Sequence, residues 1–193
     1  MILTGGSTVA LVGDSNVQRG QAKYAAALRA VGYPDSAQYV YGCGGKRILD
    51  RDACGRTLAD NVAEARARLG TVDIWVIALG TNDVNGNGIT TSTLAARVTQ
   101  AFDTIDPDPA APPARVLWVG LGFKAKADAR VTKYASTLAS SVAAEGGALL
   151  DWQGFVHDPA IEDPALWITT DGVHHTPYGY AVKATWLAGQ VAR

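Results

Sequence analysis

Val72-Asp-Ile-Trp-Val-Ile-Ala-Leu79 runs directly into Gly80-Thr-Asn-Asp83. The first eight residues are apolar except for Asp73, and four are β-branched. A run this short and this continuous reads as a strand with both faces covered, the pattern of a central strand in a parallel sheet. Two shorter apolar runs precede it, Ser7-Thr-Val-Ala-Leu-Val-Gly13 and Gln38-Tyr-Val-Tyr41, and two follow, Arg115-Val-Leu-Trp-Val-Gly120 and Ala148-Leu-Leu150. Helical segments separate them. Residues 16–31 carry Val17, Tyr24, Leu28 and Val31 near helical spacing and stop at Gly32-Tyr-Pro34. Thr57 can cap a helix to Leu69, and Thr91 or Ser92 caps one to about Ile105. A long helix is expected over 126–145, ended by Gly146-Gly147. Thr176-Pro177 opens a last helix to about Val191. Asp106–Pro113 is a proline-rich connector, and 151–175 a long loop. Five strands alternating with helices make an α/β protein whose parallel sheet has helices on both faces.

Active sites in such sheets lie beyond the carboxyl ends of the strands. Ser15 in Gly13-Asp-Ser-Asn16, Gly45 in Gly42-Cys-Gly-Gly45 and Asn82 in Gly80-Thr-Asn-Asp83 each follow a strand, so they emerge on one edge. A hydroxyl becomes a nucleophile when a base takes its proton, and the base needs a carboxylate to orient it. Asp171-Gly-Val-His174 supplies both, three residues apart in a turn before a helix. Each block also has a plainer reading. Asp14-Ser-Asn16 suits a helix cap, Gly80-Thr-Asn-Asp83 a turn, and Asp171-Gly172 a turn with exposed histidines. Asp83 is read as a brace for its loop. Among three histidines, His157 lacks a matched carboxylate spacing, and His175 has no carboxylate partner in the sequence and points away from His174. Asp171, His174 and His175 also suggest a metal site, but no further His or Cys cluster completes one, so no metal is expected.

The chain has 193 residues, 48% hydrophobic and 18% charged, enough apolar material for one α/β domain over 1–193. A net charge of -1 without a basic stripe argues against nucleic acid as a partner. No apolar run reaches the ~20 residues of a membrane span. The first residues lack the pattern of a signal peptide. A cytoplasmic, phage-encoded or excised extracellular protein fits equally, and localisation stays open. Cys43 and Cys54, eleven positions apart around Gly44-Gly45, are either two thiols or a local disulfide pinning that loop. Trp152, Phe155 and Trp167 likewise admit two readings. The three rings line a sugar-binding platform, with Trp152 and Trp167 as its substrate-binding residues, or they pack under the long loop.

The four blocks in this order resemble the SGNH hydrolases, also called the GDSL esterase/lipase superfamily. The matching residues are Ser15 in Gly-Asp-Ser, a glycine of the second block, Asn82 in Gly-Thr-Asn-Asp and His174 in Asp-Gly-Val-His. The resemblance covers residues 7–191. It implies a three-layer α/β/α flavodoxin-like sandwich, sheet order 2-1-3-4-5, with no cofactor. It makes Ser15 the nucleophile, His174 the base and Asp171 its partner. The oxyanion hole would be the Ser15 N–H, the Gly45 N–H and the Asn82 amide; Gly45 is chosen over Gly44 because Gly-Lys-Arg resembles several members. Leu149-Leu-Asp-Trp152 with Asp171-Gly-Val-His-His-Thr-Pro-Tyr-Gly-Tyr180 resembles SGNH domains attached to bacterial cell-surface O-acyltransferases, which handle acetyl groups on sugars. Asn16 and His175 stand where leucine is common. The implied substrate is a small acyl ester, acetylated carbohydrate foremost. An acyltransferase using the same triad and a carbohydrate-binding module on the same fold are the alternatives.

Overall fold

The structure is a computed structural model that describes residues 6–85, 89–106, 114–121, 129–158, 160, 163 and 166–193. Five strands, β1 (Val9–Gly13), β2 (Gln38–Gly42), β3 (Ile74–Ala78), β4 (Arg115–Val119) and β5 (Ala148–Leu150), form one parallel sheet in the order β2-β1-β3-β4-β5. The order is the one that the resemblance implies. The run at Val72–Leu79 yields β3, paired on both sides, as its unbroken apolarity requires.

The helices are α1 (Ser15–Ala30), α2 (Leu58–Leu69), α3 (Thr81–Asn85), α4 (Thr91–Ile105), α5 (Ala129–Ala144), α6 (Trp152–Val156) and α7 (Pro177–Val191). Alternate strand residues serve alternate faces. Ala10, Val12, Trp75, Ile77, Val116 and Trp118 join the core under α2, α4 and α5. Val9, Leu11, Ile74, Val76, Leu117 and Val119 join the core under α1 and α7. The stripe of α4 shows why these helices form: Leu94, Val98, Ala101 and Ile105 recur every three or four residues and are all buried. Each large apolar side chain so buried contributes about 1.5–3 kcal/mol.

Caps set the boundaries. Asp14 caps α1 by accepting from Asn16 N, and Thr57 with Asp60 makes a reciprocal capping box on α2. Thr176 caps α7 with Pro177 behind it. Thr90, one residue before the expected position, caps α4. The long helix starts at Ala129 among the described residues; 126–128 lie outside them, as do 107–113 of the proline connector and 1–5. Among the described residues, the loop expected over 151–175 contains the short helix α6, and the Gly-Thr-Asn-Asp block leads into another, α3.

β1 is gripped on both sides at its end. Gly13 lies opposite Gly42 on β2 and Ala78 on β3. Gly42 allows α1 to sit on β2: a Cβ there would lie 2.2 Å from Gln18 N and 2.7 Å from Val17 C, both backbone atoms of α1. Gly42→Ala must therefore displace the helix, which costs about 1–3 kcal/mol. The expected result is a melting temperature lowered by roughly 2–4 °C per kcal/mol lost. An unchanged melting curve would show that α1 rests on β2 less rigidly than this contact implies.

Candidate active site

Register places the site. Gly13, Gly42 and Ala78 are level, so the segments leaving β1, β2 and β3 start side by side. Ser15 is the first residue of α1, where backbone N–H groups lack intrahelical acceptors and the helix dipole favours negative charge. Its Oγ lies 2.9 Å from His174 Nε2, across a separation of 159 residues. His174 Nδ1 lies 2.7 Å from Asp171 Oδ2. With the proton kept on Nδ1 and donated in a hydrogen bond to the carboxylate, Nε2 turns its lone pair toward the serine. The sequence-expected residues Ser15, His174 and Asp171 thus stand in one hydrogen-bonded series.

The Asp171–His174 spacing works because the turn is built around the carboxylate. Asp171 Oδ1 accepts the amide N–H of both Val173 and His174, at 2.9 Å each, with the Thr169 hydroxyl 2.7 Å away. Gly172 takes φ 75°, and Thr169 N donates to His174 O to close the loop. The His174 ring, then the two amides and the hydroxyl, hold the Asp171 carboxyl well below the usual carboxylate range, although its side chain is half exposed.

The glycine block is a turn in which Lys46 N donates to Cys43 O and Gly45 sits third, at φ 70°. A positive φ at that position favours glycine. Asn82, on α3, donates from Nδ2 to Lys46 O at 3.0 Å, which ties it to this loop and leaves the second amide hydrogen. Asp83 is the brace expected: it is buried, accepts from Ile48 N at 3.0 Å and from Arg97 at 2.7 Å.

The loop has its own buried framework. Cys43 and Cys54 are joined in a disulfide, which decides between the two readings of this pair. Lys46 Nζ, fully buried, meets Asp52 Oδ2 at 2.9 Å and Arg56 O at 3.1 Å. Asp52 also accepts from Tyr41 OH and from the amides of Cys54 and Arg56. Burial alone would raise its pKa, but the Arg56 amide, Lys46 and Tyr41 outweigh this and hold it low. The pairing of Lys46 was not read from the sequence; a lysine and an aspartate both inside the Cys43–Cys54 bracket were the available signal. Among the described residues, the cluster with metal-ligand geometry is Cys43, Asp52 and Cys54, whose sulfurs are spent in the disulfide.

The aromatic residues need a correction. Trp152 and Trp167 are 0% and 2% exposed, so neither offers a ring face to a sugar. They pack on Phe155, with ring centres 5.4 and 5.8 Å away, and Trp152 also meets Trp186 at 5.1 Å. Flat rings of this size gain most by full burial, and the space between α6 and α7 takes them. His157 closes the end of α6. His175 is buried, packed on Trp152 and Tyr180, with Nδ1 2.9 Å from Asn16 Oδ1. Behind Ser15, Asp14 and Lys183 line a small polar cavity with Thr81. Burial pushes Lys183 down to about 8, with Asp14 pulling it back.

A sheet of this topology with hydroxyl, imidazole and carboxylate in series at its strand ends has the architecture of a serine hydrolase. The GDSL-like lipase/acylhydrolase family model matches residues 3–182, and the chain belongs to that family of carboxylic ester hydrolases. No curated protein matches it by sequence. Among solved structures, it is similar to a lipase/acylhydrolase from Enterococcus faecalis, with TM-score 0.70 and 15% identity over 96% of this chain and 95% of that one. It is equally similar to Axe2, an acetylxylan esterase from Geobacillus stearothermophilus, with TM-score 0.70 and 16% identity over 100% and 96%. A peptidoglycan O-acetylesterase matches with TM-score 0.60 and 18% identity over 80% of this chain and 45% of that one. At these identities the likeness is one of fold. Among the described residues, no helix is long and apolar enough to cross a membrane.

Two measurements follow from the local chemistry. Replacing Cys43 and Cys54 by serine is expected to lower the unfolding free energy by about 3 kcal/mol, read as a lower urea midpoint. An unchanged midpoint would show that the other contacts of this loop, those of Lys46, Ile48 and Asp83 among them, hold it without the disulfide. The second concerns acid. An unfolded His175 titrates near ~6.5. Burial, then the charge of Lys183, pushes the folded ring down to about 2. Between those values the unfolded chain takes a proton that the native one refuses. The contribution of His175 is therefore complete above about pH 6.5 and erodes below it, by at most about 1.4 kcal/mol per pH unit. His175→Gln is expected to flatten the acid side of the stability–pH curve; an identical curve would place the acid sensitivity elsewhere.

Proposed function

We propose that this chain is a serine esterase that removes small acyl groups, acetyl foremost, from carbohydrate. The observation that carries the reading is the unbroken series Ser15 Oγ, His174 Nε2, His174 Nδ1, Asp171 Oδ2, with links of 2.9 and 2.7 Å. Ser15 Oγ attacks the acyl carbon while His174 Nε2 takes its proton. The oxygen of the tetrahedral intermediate is received by the N–H of Ser15, the N–H of Gly45 and the free amide hydrogen of Asn82. Collapse breaks the ester bond, and the departing alkoxide takes the proton from His174. Water then attacks the acyl-serine, His174 again receives and returns a proton, and the carboxylate product leaves. Asp171 stays ionised throughout and stabilises the imidazolium.

The carbohydrate and acetyl assignments are supported by the motif resemblance and by the names of two structural neighbours, an acetylxylan esterase and a peptidoglycan O-acetylesterase. A sugar hydroxyl in place of water in the second half would make the same machinery an O-acyltransferase, and product analysis with a sugar acceptor separates the two. The burial of Trp152 and Trp167 speaks against a purely binding module.

Hydrolysis of p-nitrophenyl esters tests the reading. Acetate should outperform chains of about eight carbons, because each methylene gains roughly 0.8 kcal/mol only where apolar surface receives it. A rise of kcat/KM with chain length would instead indicate a lipase or thioesterase. Ser15→Ala should lose about 10⁴-fold or more in kcat, and His174→Ala should lose nearly all activity. Asn82→Ala should lose on the order of 10²–10³-fold in kcat with KM little changed. An organophosphonate should label Ser15 alone, and EDTA should leave activity unchanged. Robust turnover by Ser15→Ala, or inactivation by EDTA reversed by metal, would sink the triad.

A further inference from the structure

The residue after the base has a partner in the residue after the nucleophile. His175 is 3% exposed and enters the core as its neighbour His174 faces the site. Its Nε2 lies 3.1 Å from Trp152 Nε1. An indole N–H only donates, so His175 Nε2 accepts and the ring proton sits on Nδ1. That N–H donates to Asn16 Oδ1, 2.9 Å away, and thereby orients the Asn16 amide. The Tyr180 hydroxyl approaches the same oxygen at 3.4 Å. Trp152 and Tyr180 hold the imidazole by packing, with ring centres 5.6 and 5.3 Å from its own.

Two consecutive pairs therefore join segments 159 residues apart: Ser15 with His174, and Asn16 with His175. One hydrogen bond between two segments fixes a distance and leaves rotation about it. A second, one residue along, removes that rotation. We propose that His175 is a positioning residue that, through Asn16 and anchored by Trp152, sets the approach of His174 Nε2 to Ser15 Oγ. It touches no reacting atom. The proposal rests on the triad reading above. Its expected size follows from the sensitivity of proton transfer and attack to placement, where a shift of about 1 Å costs up to 10²-fold.

The experiment compares wild type, His175→Phe, His175→Gln, Asn16→Leu and the Phe/Leu double variant on p-nitrophenyl acetate, well below each melting temperature. His175→Phe keeps a flat ring and loses both hydrogen bonds; its kcat should fall about 10–100-fold with KM within about twofold. Gln offers an NH2 donor group and a carbonyl acceptor, and should restore most of kcat. Asn16→Leu, nearly isosteric, should fall as far as His175→Phe, and the double variant no further, since both break one connection. If His175→Phe does not fold, Asn16→Leu carries the test. Wild-type kcat in a folded His175→Phe or Asn16→Leu, losses that add in the double variant, or a lower melting temperature with kcat intact would overturn the proposal. Organophosphonate labelling of Ser15 tells the two failures apart. Ser15 still labelled, with kcat untouched by these variants, removes the positioning role alone. An active Ser15→Ala removes the triad and this proposal with it.

Discussion

The site depends on one register: β1 lies between β2 and β3 with Gly13 level with Gly42 and Ala78. In a parallel sheet all strands end at the same edge, so a hydroxyl, a glycine turn and an amide distant in sequence leave it together. A slip of one residue would exchange the two faces of β1 and set Val9 and Leu11 against the wrong helices. The hydrophobic sorting of the core and the placement of the site are thus the same constraint. Gly42 adds to it by letting the backbone of α1 at Val17 and Gln18 lie close against β2.

The glycine turn and Asn82 are held from behind by buried charge as well as by the disulfide and the apolar seat of Ile48 and Val84. Lys46 and Asp52 are both fully buried at the side chain, and such a pair gives little net stability once desolvation is counted. Its value is geometric. The Lys46 carbonyl accepts from Asn82, while its ammonium is pinned to Asp52 and to the Arg56 carbonyl. The same residue therefore fixes the loop's inner side and the Asn82 amide. Asp83 does the corresponding work on the other flank, linking Ile48 to Arg97.

The sheet, its helices and the residues at its edge were legible in the sequence because each rests on local signals: a two-sided apolar run, four-three spacing, a cap, a turn. What was not legible follows from the absence of such signals. A five-residue helix such as α3 or α6 is too short to show a period. Thr90, Thr91 and Ser92 are chemically equivalent caps, so the boundary of α4 is degenerate by a residue. Spacing alone does not separate a disulfide from two thiols at Cys43 and Cys54. Hydropathy places a lysine outside, and only the tertiary pairing with Asp52 draws Lys46 in. His175 has partners that are neither carboxylates nor neighbours in sequence, so its place between Asn16 and Trp152 appears only when α1, α6 and α7 are assembled.

The Asp171–His174 pair is made by a single tight turn, whereas its contact with Ser15 spans 159 residues. The two halves of the series thus have very different histories in a growing chain. At ribosomal speeds of about 5–20 residues per second, the serine waits roughly ten to thirty seconds before its histidine is synthesised. During that interval the hydroxyl has no imidazole beside it and is an ordinary, weakly nucleophilic alcohol. On the reading proposed above, reactivity arrives only when the turn at Asp171–His174 closes onto Ser15, so a nascent chain that stops short of this turn carries no armed nucleophile.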